Sequence, residues 1–167
     1  MRILSIDPGF ERVGVAIIEK TSLKKDVLLF SECFKTSTKI PFCERLKNIG
    51  TEIEKVIKKY KPEVLSIEKL YFTTNQKTVM GVSEARGAII YVSAKNNLRI
   101  YEYTPPQIKV AVTGYGKASK EMIMSMVPKL IDIKTKINSD DELDAIAVGL
   151  TCLACEGFRL SPTPIFP

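Results

Sequence analysis

The sequence predicts an α/β domain whose central sheet is mixed, an antiparallel meander joined to parallel strands, with helices flanking it. Three observations predict it. Short apolar runs at residues 2–7, 13–18 and 27–34 are separated by brief polar turns, the mark of a meander. An amphipathic helical stretch opened by Pro41 leads directly into a strand at 64–68, which makes a crossover and favours a parallel return. The chain has 167 residues with 45% hydrophobic content, enough for one domain with a full core.

The first strand reads Arg2-Ile3-Leu4-Ser5-Ile6-Asp7 and is broken by Pro8-Gly9. Strand side chains alternate, so Leu4 and Ile6 share one face while Ile3, Ser5 and Asp7 share the other. In the helix after Pro41, Phe42, Leu46, Ile49, Ile53, Val56 and Tyr60 recur at steps of four and three, giving one apolar face. Lys58 and Lys59 suit the negative end of its dipole, and Pro62 ends it. Val64-Leu65-Ser66-Ile67-Glu68 repeats the first strand's pattern, with Val64, Ser66 and Glu68 on one face. Residues 71–78 are polar and aromatic and read as a loop. A helix is expected over 79–94, weakened by Gly81 and Gly87. A short strand at 100–103 precedes Thr104-Pro105-Pro106-Gln107, a helix start with a Thr cap and a Gln placed to cap back. Gly114-Tyr115-Gly116 reads as a turn, 119–130 as a helix and 131–138 as a loop. Ser139 and Glu142 form a second capping box, opening a last helix that runs to about Gly157. Residues 1–160 are therefore expected to form one domain, and 161–167 a proline-broken, extended tail.

Twenty-five Lys and Arg against 19 Asp and Glu give a net charge of +6, which points to a polyanionic partner or to a charged solvated surface. With no His, imidazole ligands and bases are excluded. No apolar run approaches the ~20 residues of a membrane span, so a soluble, cytoplasmic protein is expected. Cys152 and Cys155 form a single CxxC in an apolar helix. Cys33 and Cys43 lack the spacing of a second zinc pair, so all four read as small buried thiols.

The candidate chemistry lies in four acids. If the strands ending in Asp7 and Glu68 are parallel neighbours, a spacing of about 4.8 Å sets the two carboxylates side by side, where they need a proton or a metal between them. Asp141 and Asp144, three apart, share a face of the last helix and continue into an apolar stripe of Val148, Cys152 and Cys155. That helix would lie over Ser5 and Ser66 with its acidic start at the strand ends. Its opposite stripe, Leu143, Ile146, Leu150 and Leu153, is also apolar, so both sides are buried. An all-oxygen set of Asp7, Glu68, Asp141 and Asp144 suits Mg²⁺ or Mn²⁺ rather than zinc. Such clusters hold two ions ~4 Å apart and support in-line phosphodiester hydrolysis. A basic surface fits a phosphate-backbone substrate.

Ile6-Asp7-Pro8-Gly9, Ile67-Glu68, Glu84-Ala85-Arg86-Gly87, Gln107-Ile108-Lys109 and Asp141-Glu142-Leu143-Asp144-Ala145-Ile146-Ala147, in that order, resemble the RuvC family of bacterial Holliday junction resolvases across nearly the whole chain. The resemblance implies a ribonuclease H-like fold, a homodimer, and symmetrical nicking of two strands of like polarity in a four-way DNA junction. It implies catalysis and metal ligation by Asp7, Glu68, Asp141 and Asp144, basic residues near the scissile phosphate at Lys109 and Lys120 with Lys109 catalytic, and Tyr71 or Phe72 stacking on a junction base. Arg86, Lys109, Lys117 and Lys120 are the remaining candidates for DNA contact, and a branch-migration motor complex is the further partner considered. The family's usual Phe is Tyr71 here, and Ser83-Glu84 replaces its glycine-glutamine, adding an acid near the dimer or DNA surface.

Plainer readings stand beside these. Asp7 before Pro-Gly suits a turn. Glu68 has Lys69 and Lys109 as candidate partners, and Asp141 is a favourable charge at a helix start. Lys109 and Lys120 also read as exposed helix lysines, Lys117 as part of a flexible turn, Tyr71 and Phe72 as core aromatics, and Arg86 as a structural ion-pair partner. Two other functions compete: a related-fold nuclease of ribosomal RNA precursors, and a junction-binding module that does not cleave.

Overall fold

A computed structural model of the chain describes residues 1–22, 25–70, 76–134 and 136–158, with backbone alone at 76–78 and 156–158. Tyr71 and Phe72, and the tail at 161–167, lie outside the described residues. Strands β1 (Arg2–Asp7), β2 (Arg12–Glu19) and β3 (Val27–Lys35) form the antiparallel meander the short turns dictate. Helix α1 (Phe42–Tyr60) then carries the chain over to β4 (Val64–Glu68), which lies parallel to β1. Helix α2 (Gln76–Lys95) returns it to β5 (Arg99–Tyr103), parallel to β4. Helices α3 (Pro105–Thr113) and α4 (Lys120–Leu130), a two-residue strand β6 (Asp132–Ile133) and helix α5 (Asp140–Phe158) complete the described chain. The sheet order is β5-β4-β1-β2-β3-β6.

Strand alternation sorts the core into two layers. Leu4, Ile6, Leu65 and Ile67 pack with Ile49, Ile53, Val56 and Ile89 of α1 and α2. Ile3 and Val64 pack on the other face with Ile108, Val112, Val127, Ile146 and Val148 of α3, α4 and α5. Ile49, Ile53 and Val56 on the apolar face of α1 are buried as its periodicity requires, Leu46 and Tyr60 are partly buried, and Phe42 at its start is 45% exposed and meets Phe10 with ring centroids 4.7 Å apart. The capping chemistry holds. Thr104 and Gln107 form a reciprocal box, and Ser119 Oγ accepts from Met122 N at 3.3 Å. At α5, Ser139 Oγ accepts from Glu142 N, while Glu142 Oε1 accepts from the Asn138 backbone N–H, one residue earlier than a standard box.

Three expectations are corrected. Helix α2 starts at Gln76, not 79. The loop expected over 131–138 contains β6, which pairs parallel to β3 through Val27 and Leu28; two residues are too short to show alternation. Of the four thiols only Cys152 is fully buried; Cys43 is exposed on the first turn of α1, and Cys33 and Cys155 are partly covered. Among the described residues, no helix is long and apolar enough to cross a membrane.

Candidate active site

The register of β1 on β4 pairs Ile3 with Val64, Ser5 with Ser66 and Ile6 with Ile67. The next step along both strands sets Asp7 beside Glu68, on the face covered by α5. Helix α5 is held there by polar and apolar contacts alike. Ser66 Oγ donates to the Val148 carbonyl at 2.9 Å, and Glu142, 3% exposed, accepts from Ser31 Oγ on β3 at 2.6 Å and from Ser139 Oγ at 3.2 Å. The acidic first turns of α5 thereby stand over the ends of the central strands.

Asp7, Glu68 and Asp144 line one cavity of about 250 Å³, together with Lys109 of α3 and Lys120 of α4. Lys120 Nζ lies 3.0 Å from Asp144 Oδ2 and 3.7 Å from Asp140 Oδ2. Burial, and then repulsion from Glu68, Asp144 and Asp141, push the Asp7 carboxyl up to about 7. Burial and Asp144 raise Glu68 to about 6. The hydrogen bond to Asp144 raises Lys120 above the ordinary lysine value.

Asp141 stands apart. It does not line that cavity; its Oδ2 accepts from both Nε and Nη2 of Arg12 and from the Cys33 thiol at 3.4 Å. Burial pushes Asp141 upward, but the Arg12 and Cys33 hydrogen bonds and the Arg12 charge outweigh it and hold this carboxyl low. As the side chains stand, no group of three or more Asp, Glu, Cys or His among the described residues is arranged to hold a metal ion. The donor set nonetheless fits a hard divalent cation. It is all carboxylate oxygen, and two of its members are raised by burial and then by neighbouring negative charge, both of which a cation would offset.

Arg86 turns inward. Its guanidinium pairs with Glu102 on β5 and donates from Nε to the Glu68 carbonyl at 3.2 Å, the structural ion pair of its plainer reading. The bond to the Glu68 backbone braces the strand end beneath the acids. Lys117 is exposed in the turn before α4. Arg12 and Cys33 were not anticipated from the sequence, nor was the burial of Glu142. A signal for Arg12 existed: it shares a strand face with Gly14, and a glycine inside a strand marks a close backbone approach.

A mixed sheet of this order, with acids at the rim of its adjacent central strands and on the helix that crosses them, defines a ribonuclease H-like protein. Residues 3–152 match the family model described as crossover junction endodeoxyribonuclease RuvC. The chain belongs to that family. It is 40% identical over 161 residues to the crossover junction endodeoxyribonuclease RuvC of Fusobacterium nucleatum, covering 96% of this chain and 84% of the relative. It is 41% identical over 163 residues to that of Halothermothrix orenii, covering 96% of each chain. Among solved structures, Thermus thermophilus RuvC in complex with Holliday junction substrate superposes with a TM-score of 0.89 at 28% identity, covering 95% of this chain and 96% of that one. The yeast mitochondrial Holliday junction resolvase Ydc2 shares the fold, with a TM-score of 0.65 at 12% identity.

Proposed function

We propose that this chain is a metal-dependent endonuclease that resolves four-way DNA junctions by paired symmetrical nicks, in recombination and repair. It acts as a homodimer, with residues 1–160 as the nuclease domain. The observation that carries the reading is the cavity shared by Asp7, Glu68 and Asp144 with Lys109 and Lys120: carboxylates for cations beside ammonium groups for a phosphate. Asp7, Glu68, Asp141 and Asp144 hold the ions, Mg²⁺ and two per site, with Mn²⁺ able to substitute. When bound, such ions supply Lewis-acid activation of water and neutralise charge developing on the leaving oxygen.

The chain's own groups orient the reaction. Asp7 and Glu68 are fixed by paired strands, and Asp144 by a helix pinned at Ser66. Lys109 and Lys120 meet the scissile phosphate as compact, hydrated point charges. Tyr71 or Phe72 stacks on a base, and Lys117 reaches the backbone. A two-fold dimer sets one site at each of two strands, matching the symmetry of the junction. A branch-migration motor complex is the proposed further partner.

The test is a nicking assay on a synthetic four-way junction, with linear duplex and structured RNA as controls, with and without Mg²⁺. Paired nicks in the junction alone, dependent on Mg²⁺, are expected. Asp144→Asn should still bind the junction and lose nicking. Full cleavage by that variant would remove the mechanism, cleavage of the RNA would favour the ribosomal-precursor function, and binding without nicking would mark a recognition module.

A further inference from the structure

We propose that Arg12 is a positioning residue that competes with a divalent cation for the charge of Asp141, so that releasing Arg12 strengthens cation binding at the second half of the metal site. The inference rests on the reading that the four acids hold cations.

Arg12 opens β2, with Gly14 two residues on and therefore on the same face of the sheet. A Cβ at Gly14 would lie 2.1 Å from the Asp141 carbonyl oxygen, so the first turn of α5 rests directly on this strand. Arg12 is thus carried to Asp141 by the same backbone approach that brings α5 to Asp7, which pairs with Gly14 across β1 and β2. Its Nε and Nη2 and the Cys33 thiol all converge on one oxygen, Oδ2. Three donors on one carboxylate oxygen fix the rotation of the group. A guanidinium fork and a divalent cation both draw on the negative charge of this one carboxylate, so Arg12 seated on Oδ2 weakens what the group offers a cation.

Competition differs from simple support. Were Arg12 only a brace, Asp141 would be expected among the residues lining the cavity of Asp7, Glu68 and Asp144, and it is not one of them. The pair is open to exchange because the Arg12 side chain is 50% exposed, so water can take it up when the cation arrives. The released guanidinium stands at the rim of the site as a planar donor suited to a phosphate oxygen. Anything that draws Arg12 away, a DNA phosphate above all, then favours cation binding at Asp141, and the reverse must hold by linkage.

The experiment titrates the full-length chain with Mn²⁺ and reads free Mn²⁺ by electron paramagnetic resonance, with circular dichroism to confirm the fold. Wild type, Arg12→Gln, Arg12→Lys and Asp7→Asn are compared. Arg12→Gln should tighten the weaker Mn²⁺ step by about two- to fivefold, the range an exposed ion pair commands, and Arg12→Lys should fall between it and wild type. Unchanged or weaker Mn²⁺ binding in folded Arg12→Gln would overturn the competition and leave the acidic site standing. If wild type shows no Mn²⁺ binding that Asp7→Asn weakens, the metal reading fails, and this inference with it.

Discussion

Gly14→Ala is the sharpest perturbation the structure offers, because it moves the two halves of the site apart while leaving every acid in the sequence unchanged. Gly14 faces Asp7 across the β1–β2 ladder and lies under the first turn of α5. The added methyl would stand 2.1 Å from the Asp141 carbonyl oxygen, 2.8 Å from its carbonyl carbon and 3.2 Å from Asp7 Cβ. Separations under 3.0 Å are essentially never found for a Cβ, and the nearest atoms are backbone, with no flexible side chain to yield. The start of α5 must therefore retreat from β2 by about 1 Å, taking Asp141 and Asp144 away from Asp7 and Glu68. Overpacking of this kind costs about 1–3 kcal/mol of stability, and a misplacement of about 1 Å near the reacting groups costs ~10²-fold in rate. Thermal melts would report the first and single-turnover nicking of a four-way junction the second, while junction binding should change little. A variant that melts like wild type and nicks within about threefold of it would refute the claim that contact of α5 with β2 sets the site.

Removing one charge should act on stability and activity in opposite directions: Asp7→Asn relieves a buried, crowded carboxylate, so the metal-free protein should gain roughly 1–3 kcal/mol above pH 7 while junction nicking is lost. A lower melting temperature for that variant at pH 8 would count against the crowding. The pH dependence follows from the same two acids. With Asp7 at about 7 and Glu68 at about 6, the folded chain holds protons that the unfolded chain has already released, so metal-free stability should fall as pH rises from about 4 to 7. Mg²⁺ should restore it, raising the melting temperature more at pH 8 than at pH 5; an equal Mg²⁺ effect at both would sink this account. Lys109→Ala should slow nicking about tenfold or more with binding nearly kept, since Lys109 lines the cavity; an unchanged rate would return it to the surface.

The strands and the long helices were legible because their signals are local. The shared apolar-serine-acid pattern of β1 and β4 could be matched residue for residue, and the crossover length left a parallel pairing as the natural outcome. Thr104 and Ser139 announced two helix starts through cap chemistry that reaches only three residues ahead. What stayed hidden depends on partners far along the chain. Arg12 finds Asp141 129 residues away, and Cys33 finds it 108 residues away. The Ser139 to Glu142 spacing predicts a capping acid, which Glu142 is, but nothing local predicts its hydrogen bond to Ser31 on β3. Arg86, placed with the DNA-contacting residues by resemblance, meets Glu102 from a neighbouring strand, and no periodicity in α2 distinguishes an arginine bound inward from one facing a phosphate.

The two serines explain why acids at strand ends and acids at a helix start share one level. Ser5 and Ser66 are neighbours in the β1–β4 register, and both are fully buried. A larger side chain at either would lift α5 off the sheet; a hydroxyl lets the helix settle and gives it a hydrogen bond, from Ser66 to the Val148 carbonyl. On the helix side Gly149 completes the fit, since a Cβ there would come 2.8 Å from Ser5 Oγ and 2.5 Å from Ile18 Cδ1. Close packing of this patch sets the height of α5 over β1 and β4, and one to two helical turns earlier the same height brings Asp144 to the cavity it shares with Asp7 and Glu68. Glu142, tied to Ser31 on β3, fixes the helix at its other side. The acids that meet at the sheet rim are therefore positioned by residues that carry no charge and by one that never reaches the cavity. Substitutions in that uncharged floor should disturb the chemistry while leaving every acid in the sequence intact.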